Sequence, residues 1–219
     1  MDLQKIEKIL GYNFKNADLL RQALTHRSFI NENKSFPTSH NERLEFLGDA
    51  VLELVVTEFL YGKFPNVTEG DLTAYRAALV NTNTLSSAST KLGFNDHVLL
   101  SKGESKDTGR ARQYILANVF EAMVGALYLD GGFEASKAFI KGTLFGLIDE
   151  IVEKRLWQDA KSFFQELAQE KVGVTPQYNT IKEEGPDHSK IFTVGVYLAS
   201  ELVADGKGAS KQEADQEAA

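Results

Sequence analysis

The chain has no cysteine among its 219 residues. That excludes a disulfide framework, a cysteine-ligated zinc or iron–sulfur site, and a thiol nucleophile. It also lacks a long apolar run. The longest apolar patch, Ala50 to Val56, is interrupted by Glu53 and is far too short to span a bilayer. The amino terminus, MDLQKIEKIL, is charged throughout and carries no leader-like apolar core. The expectation is a cytoplasmic protein with no membrane partner. There is no glycine-rich phosphate loop of Walker type, no nucleophile elbow and no Glu-x-x-His pair, and the four histidines (His26, His40, His97, His188) do not fall at metal-ligand spacings. Positive charge is also short, with 24 Lys+Arg against 31 Asp+Glu and a net charge of −7. Phosphate binding is driven by lysine and arginine, so by charge alone nucleic acid is an unexpected partner.

What is present is ample for a packed core, with 42% hydrophobic and 25% charged residues. Apolar residues recur at helical spacing through the first two thirds. Leu3, Ile6, Ile9 and Leu10 mark a short helix. Asn16 caps a second, with Leu19, Leu20, Ala23 and Leu24 as its stripe. Residues 28–40, polar and holding Pro37, read as a loop. Asn41 then stands as the N-cap of a long helix to about Tyr61. Thr68 with Asp71 opens another to about Val80, and further helices are expected at 82–92, 112–129 and 133–147. Residues 101–113 carry Lys102, Lys106, Arg110 and Arg112 and read as a solvated loop or a phosphate-contacting arm.

The pattern changes after Asp149. An amphipathic helix at 159–171 is followed by strand-like segments Tyr178–Lys182, Ile191–Leu198 and Glu201–Ala204. Gly206 and Gly208 read as a turn, and a last helix starts near Ala209. The expected organisation is a helical domain over residues 1–152, a short linker over 153–158, and an α-β-β-β-α domain over 159–219.

One stretch stands out chemically: Asn41-Glu42-Arg43-Leu44-Glu45-Phe46-Leu47-Gly48-Asp49. At about 100° per residue, Glu42, Glu45 and Asp49 fall within about 60° of one another. Like charges at helical spacing repel, and the rest of the helix is apolar. A hard divalent cation is an economical way to neutralise such a face, because Mg²⁺ takes one or two carboxylates and keeps several waters. A second polar pair, Asn118 and Glu121, sits inside the most apolar helix of the chain, where a carboxylate needs a partner. Two helices facing each other with these groups would form an oxygen-donor metal site. Taken alone, the same carboxylates also fit a solvated helix face, and Glu69 fits a first-turn acid favoured by the helix dipole.

At these residues the sequence resembles ribonuclease III. HNERLEFLGDAVLE (His40–Glu53) is similar to that family's signature. EGDLT with the following Arg and LV (Glu69–Val80) and ILANVFEAMVGALYLDGG (Ile115–Gly132) come in the family's order. The tail resembles its double-stranded RNA-binding domain, in DAKSFFQEL at the start of the first helix, GPDH (Gly185–His188) between strands, and GKGASK (Gly206–Lys211) at the last helix.

The resemblance implies an all-α nuclease domain that forms a homodimer through contacts including Phe46. It implies Mg²⁺, with Mn²⁺ as a substitute, held by Glu45, Asn118 and Glu121, with Asp49 and Glu121 as the catalytic pair and Glu42 and Glu69 in an acidic valley. The implied reaction is hydrolysis of double-stranded RNA to 5′-phosphate and 3′-hydroxyl ends in rRNA and mRNA processing. Duplex contacts fall to Gln165 and Glu166 on the first helix of the tail, to His188 in a loop, and to Lys207, Ser210 and Lys211 at the last helix. Such contacts suit a reader of RNA shape.

Two departures stand out. Many members carry Asp where this chain has Asn118, and a second lysine where it has Gln212. The alternative left open by Asn118 is a duplex-binding protein with weakened cleavage. From residue 156 on there are six lysines, no arginine and eleven acids, so RNA contact there must rest on a few placed residues rather than on a broad positive field.

Overall fold

The computed structural model describes residues 2–186 and 189–219, and the chain divides into two compact units between Trp157 and Gln158. Among the described residues no helix is long and apolar enough to cross a membrane.

The first unit is helical. Helix α1 (Leu3–Leu10) is capped by Asp2 and closed by Gly11, and α2 (Ala17–Ala23) by Asn16, whose side chain accepts from the Asp18 N–H. A short helix α3 (Arg27–Glu32) overlaps the start of the segment expected to be a loop. The His26 ring caps it by accepting from the Ser28 N–H (3.3 Å), and Phe29 and Phe36 meet edge to face at 5.0 Å, which folds the segment onto itself. Helix α4 (Glu42–Lys63) follows. Asn41 stands at its start but does not cap it. The side chain is buried and donates instead to the Ala23 carbonyl (3.3 Å), tying α4 to α2. Helices α5 (Glu69–Val80), capped by Thr68, and α6 (Thr82–Lys91), capped by Asn81, come next.

Helix α7 (Arg110–Leu144) is a pair of helices joined across Gly132, whose φ of 76° and ψ of −171° break the helical path. A side chain rarely adopts that conformation, so this glycine separates the two helices expected at 112–129 and 133–147. Helix α8 (Ile148–Glu153) ends the unit. The core centres on α4 against α7, the largest helix–helix interface in the unit. Leu52, Val55, Leu60, Phe120, Met123, Val124 and Leu127 are among its fully buried side chains.

The second unit runs α9 (Ala160–Val172), β1 (Gln177–Glu184), β2 (Ile191–Leu198), β3 (Glu201–Gly208) and α10 (Lys211–Ala218). The strands form an antiparallel sheet in the order β1-β2-β3, with register shifts between Thr180 and Lys182 and between Val196 and Tyr197. Val194 and Val196 are buried. Gly206 and Gly208, read from the sequence as a turn, belong to β3. A Cβ on Gly206 would lie 2.6 Å from the Ala214 carbonyl oxygen, and one on Gly208 would lie 2.5 Å from the Ala214 nitrogen. These glycines let α10 lie directly on the strand. The helical first unit and the α-β-β-β-α second unit are the expected fold class.

Candidate active site and duplex-binding surface

The candidate site lies where α4 crosses the first half of α7. Gly48 and Gly125 make that crossing close. A Cβ on Gly48 would fall onto the Glu121 carbonyl, 2.7 Å from its carbon and 2.8 Å from the Gly125 nitrogen, and one on Gly125 would lie 3.1 Å from the Leu44 carbonyl carbon. Both glycines are buried. The backbones therefore touch at Leu44 and Gly48 on one helix and at Glu121 and Gly125 on the other, within a turn of Glu45, Asp49 and Asn118.

This contact puts the four polar groups in reach of one another. The Asn118 side chain hydrogen-bonds Glu45. Burial pushes the Glu45 carboxyl up, the charges of Glu42 and Asp49 push the same way, and the Asn118 hydrogen bond opposes them. The effect is larger at Glu121, whose pKa is raised to about 7, first by burial and then by the charges of Asp49 and Glu45. Carboxyls shifted that far, by burial first and neighbouring negative charge second, cluster at functional sites.

Among the described residues, no group of three or more carboxylates or imidazoles is drawn tightly enough to enclose an ion as it stands. The chemistry of the donors nevertheless suits a hard cation. All are oxygens, two carboxylates are held partly out of water, and their mutual repulsion is unrelieved by any lysine or arginine acting on Glu45 or Glu121.

The remaining sequence candidates are distributed as follows. Glu42, in the first turn of α4, faces Arg27 (3.5 Å) and His40 (3.7 Å) as well as Glu45. Glu69 lies elsewhere. It opens α5, accepts from the Thr73 hydroxyl (3.3 Å) and lines a hollow with Tyr61 and Arg76, and it is not among the charges acting on Glu45 or Glu121. Phe46 is 83% exposed, beside an open hollow of about 570 Å³ that it lines with Leu19, Leu47 and Leu129. Arg112, read with the basic loop, is spent on structure. Its guanidinium donates to the carbonyls of Glu104, Ser105 and Asp107 (3.0–3.1 Å) and holds the loop closed.

In the second unit Gln165 and Glu166 are exposed on α9, and Lys207 is exposed on β3. Ser210 caps α10 by accepting from the Glu213 N–H (3.2 Å), while the Glu213 carboxylate accepts from the Ala209 N–H (2.9 Å). Together the two bonds satisfy N–H groups on either side of the N-cap and order the helix start. Lys211 pairs with Glu183 (3.0 Å) and lies over the Phe192 ring. His188 lies outside the described residues. The contributors that sequence reasoning missed are Gly48 and Gly125. The available signal was their place inside two long helices, where glycine costs about 1 kcal/mol and a packing reason should be sought.

Comparison with known proteins gives the family of each unit. Residues 16–148 match the family model described as ribonuclease-III-like, and residues 160–219 match the double-stranded RNA binding motif. The Ribonuclease 3 of Bdellovibrio bacteriovorus is 46% identical over 217 residues, 99% of this chain and 92% of that protein. The Ribonuclease 3 of Bacillus licheniformis is 45% identical over 216 residues, 99% of this chain and 86% of that one. Among solved structures, the nuclease domain of ribonuclease III from Campylobacter jejuni aligns with a TM-score of 0.58 at 42% identity, covering 65% of this chain and 98% of its own. That structure is described in terms of flexibility in a region involved in dimer formation. A helical nuclease unit followed by a double-stranded RNA-binding unit defines an endoribonuclease directed at duplex RNA. The chain belongs to the ribonuclease III family.

Proposed function

We propose that this endoribonuclease cuts double-stranded RNA in a reaction dependent on Mg²⁺, with Mn²⁺ able to substitute. It leaves 5′-phosphate and 3′-hydroxyl ends, acts as a homodimer, and processes rRNA and mRNA precursors in the cytoplasm. The observation that carries this reading is the meeting of Glu45, Asp49, Asn118 and Glu121 at the α4–α7 crossing, with Glu121 raised to about 7.

Hydrolysis of a phosphodiester needs a water aligned opposite the leaving 3′-oxygen, a base for its proton, and relief of the charge that builds on the phosphoryl oxygens. Glu45, Asn118 and Glu121 are the residues that would hold the cation. When bound, it supplies a lowered water pKa and positive charge at the phosphoryl oxygens. Asp49, exposed beside Glu121, orients the attacking water. Glu121 serves both as a ligand and, with Asp49, as an acceptor for the proton. Phe46 and the hollow beside it offer the apolar contact a homodimer needs. Gln165, His188, Lys207, Ser210 and Lys211 contact the duplex, and Glu42 extends the acidic valley, to which Glu69, set apart at the start of α5, does not add charge at Glu45 or Glu121.

The assay is incubation of the full chain with long duplex RNA, with Mg²⁺ or with chelator, followed by end analysis. Metal-dependent shortening to 5′-phosphate products is the expected result. A gel shift without cleavage would instead favour the binding-only reading, which the neutral amide at Asn118 favours. If neither cleavage nor a gel shift were seen, the duplex-directed reading would fall. Asn118→Asp adds a charged oxygen donor and is expected to lower the Mg²⁺ concentration needed for cleavage, and an unchanged requirement would contradict the role given to Asn118.

A further inference from the structure

The nuclease unit ends in a docked aromatic ring. After α8 the chain reverses through Arg155, at a φ of 54°. The turn is closed by hydrogen bonds from the Lys154 N–H to Glu150 (2.9 Å), from Arg155 to Val152 (3.2 Å) and from Leu156 to Ile151 (2.9 Å). It is the αL reversal that ends many helices, here with a bulky residue where glycine is usual. It returns Trp157 to the unit, where its ring meets Tyr75 edge-on at 5.0 Å, and Tyr75 in turn meets Phe64 at 5.3 Å. Trp157 packs against the nuclease core. Its indole nitrogen is buried with no hydrogen-bond partner among the described residues. Two residues later Asp159 already caps α9, accepting from the Ser162 N–H (2.8 Å). The linker expected over 153–158 is thereby reduced to Gln158, between a docked ring and a helix cap.

We propose that Trp157 is a positioning residue for RNA cleavage. By docking on Tyr75 it keeps the tether to the RNA-binding unit at its shortest, and so keeps that unit at high effective concentration over duplex held by the nuclease unit. The proposal rests on the duplex-cleaving reading above. With Trp157 docked, the path from its Cα to that of Ala160 is three steps, at most about 11 Å. With the ring released and the turn undone, the free path starts at Lys154 and reaches about 23 Å. Once a tether is long enough to span its two sites, effective concentration falls with roughly the 3/2 power of its length or more steeply. Release therefore lowers it about threefold, and up to about eightfold if the whole reachable volume is explored.

The test uses full-length Trp157→Ala, Trp157→Phe and a chain with Gly-Ser-Gly-Ser inserted after Gln158, which lengthens the tether and leaves the ring docked. Steady-state cleavage of a long duplex at saturating Mg²⁺ gives KM and kcat. The expected result is a KM raised about three- to eightfold by Trp157→Ala and about four- to thirteenfold by the insertion, whose tether has seven steps, with kcat unchanged, and near-complete rescue by Phe. Trypsin should cut Trp157→Ala after Lys154 or Arg155 at least tenfold faster than the native chain. Emission of this sole tryptophan should match the native chain in the insertion chain. If the insertion leaves KM unchanged or lowers it, the proposal is overturned, even if Trp157→Ala merely unfolds. Failure of the native chain to cut duplex would instead overturn the functional reading.

Discussion

Replacing Gly48 by alanine sets two effects of opposite sign against each other. On helix propensity alone, alanine in a helix interior stabilises by about 1 kcal/mol relative to glycine. The structure predicts the opposite, because the new methyl lands on the Glu121 carbonyl, 2.7 Å from its carbon and 2.8 Å from the Gly125 nitrogen. Both neighbours are backbone and cannot rotate away. Bringing these contacts to an ordinary 3.4 Å means parting α4 from α7 by roughly 0.6 Å or more, and gaps of 0.5–1 Å forfeit a quarter to a half of each dispersion contact along the seam. Overpacking costs about 1–3 kcal/mol and sometimes more. With backbone on both sides the upper end applies, so the net loss is about 2 kcal/mol.

At roughly 2–4 °C per kcal/mol for a chain of this size, Tm falls by about 4–8 °C. Glu45 and Asp49 move with α4 relative to Asn118 and Glu121, and a 1 Å misplacement can cost about a hundredfold in rate. Gly62→Ala is the control, in the same helix, where the added Cβ meets nothing within 4 Å. It should be neutral or stabilise by up to about 1 kcal/mol, with cleavage intact. Thermal unfolding with chelator and cleavage at saturating Mg²⁺ read both effects. If Gly48→Ala were as stable as Gly62→Ala, the close crossing would not constrain the site as argued.

Three further outcomes follow from named groups. Glu121 is raised to about 7, so the metal-free chain should lose stability as pH rises from the ordinary carboxylate range to 7. Glu121→Gln should abolish cleavage yet stabilise the metal-free chain above pH 7 by about 1–2 kcal/mol, after discounting for solvent; a less stable variant would contradict the repulsion. At Asp130, burial raises the carboxyl pKa, but N–H bonds from Lys15 (2.9 Å) and Asn16 (2.8 Å) and the Tyr12 hydroxyl (2.8 Å) outweigh it and hold the group below its usual range. Its contribution is therefore full above the unfolded carboxylate value and lost as pH falls through the folded one. Asp130→Ala should cost about 1–3 kcal/mol at pH 7 in denaturant unfolding, with a gap to the native chain that narrows below about pH 4. In the RNA-binding unit, Lys161, Lys182, Lys190 and Lys211 each face a carboxylate. Duplex binding by residues 158–219 should thus show a log–log salt slope no steeper than about −5, and a steeper one would reveal a broad cationic field.

The local elements could be read from the chain because their causes are local. Helical spacing of Leu44, Val51 and Val55, the caps at Asn16 and Thr68, and the alternation in Ile191–Leu198 each depend on residues a few positions apart. The same periodicity placed Glu42, Glu45 and Asp49 on one face and marked Asn118 and Glu121 as out of place in an apolar helix. Where a residue met a distant partner, the local reading erred. Asn41 left its cap to bond Ala23, and Gly206 and Gly208 serve a strand under α10; the His26 cap, by contrast, is a local signal that the loop reading of 28–40 passed over.

By itself, then, the sequence determined the helical and α-β-β-β-α halves, the acidic face of α4, and the family to which the chain belongs. Only the tertiary structure decided that α4 and α7 meet with backbones in contact at Gly48 and Gly125, that Glu121 is thereby pressed against Asp49 and Glu45, that Glu69 lies apart from them, and that Trp157 folds back on Tyr75. The reason is that helix period and capping act within a turn or two of chain. Close approach, burial and charge coupling arise between residues more than seventy positions apart, and no local pattern encodes their distance.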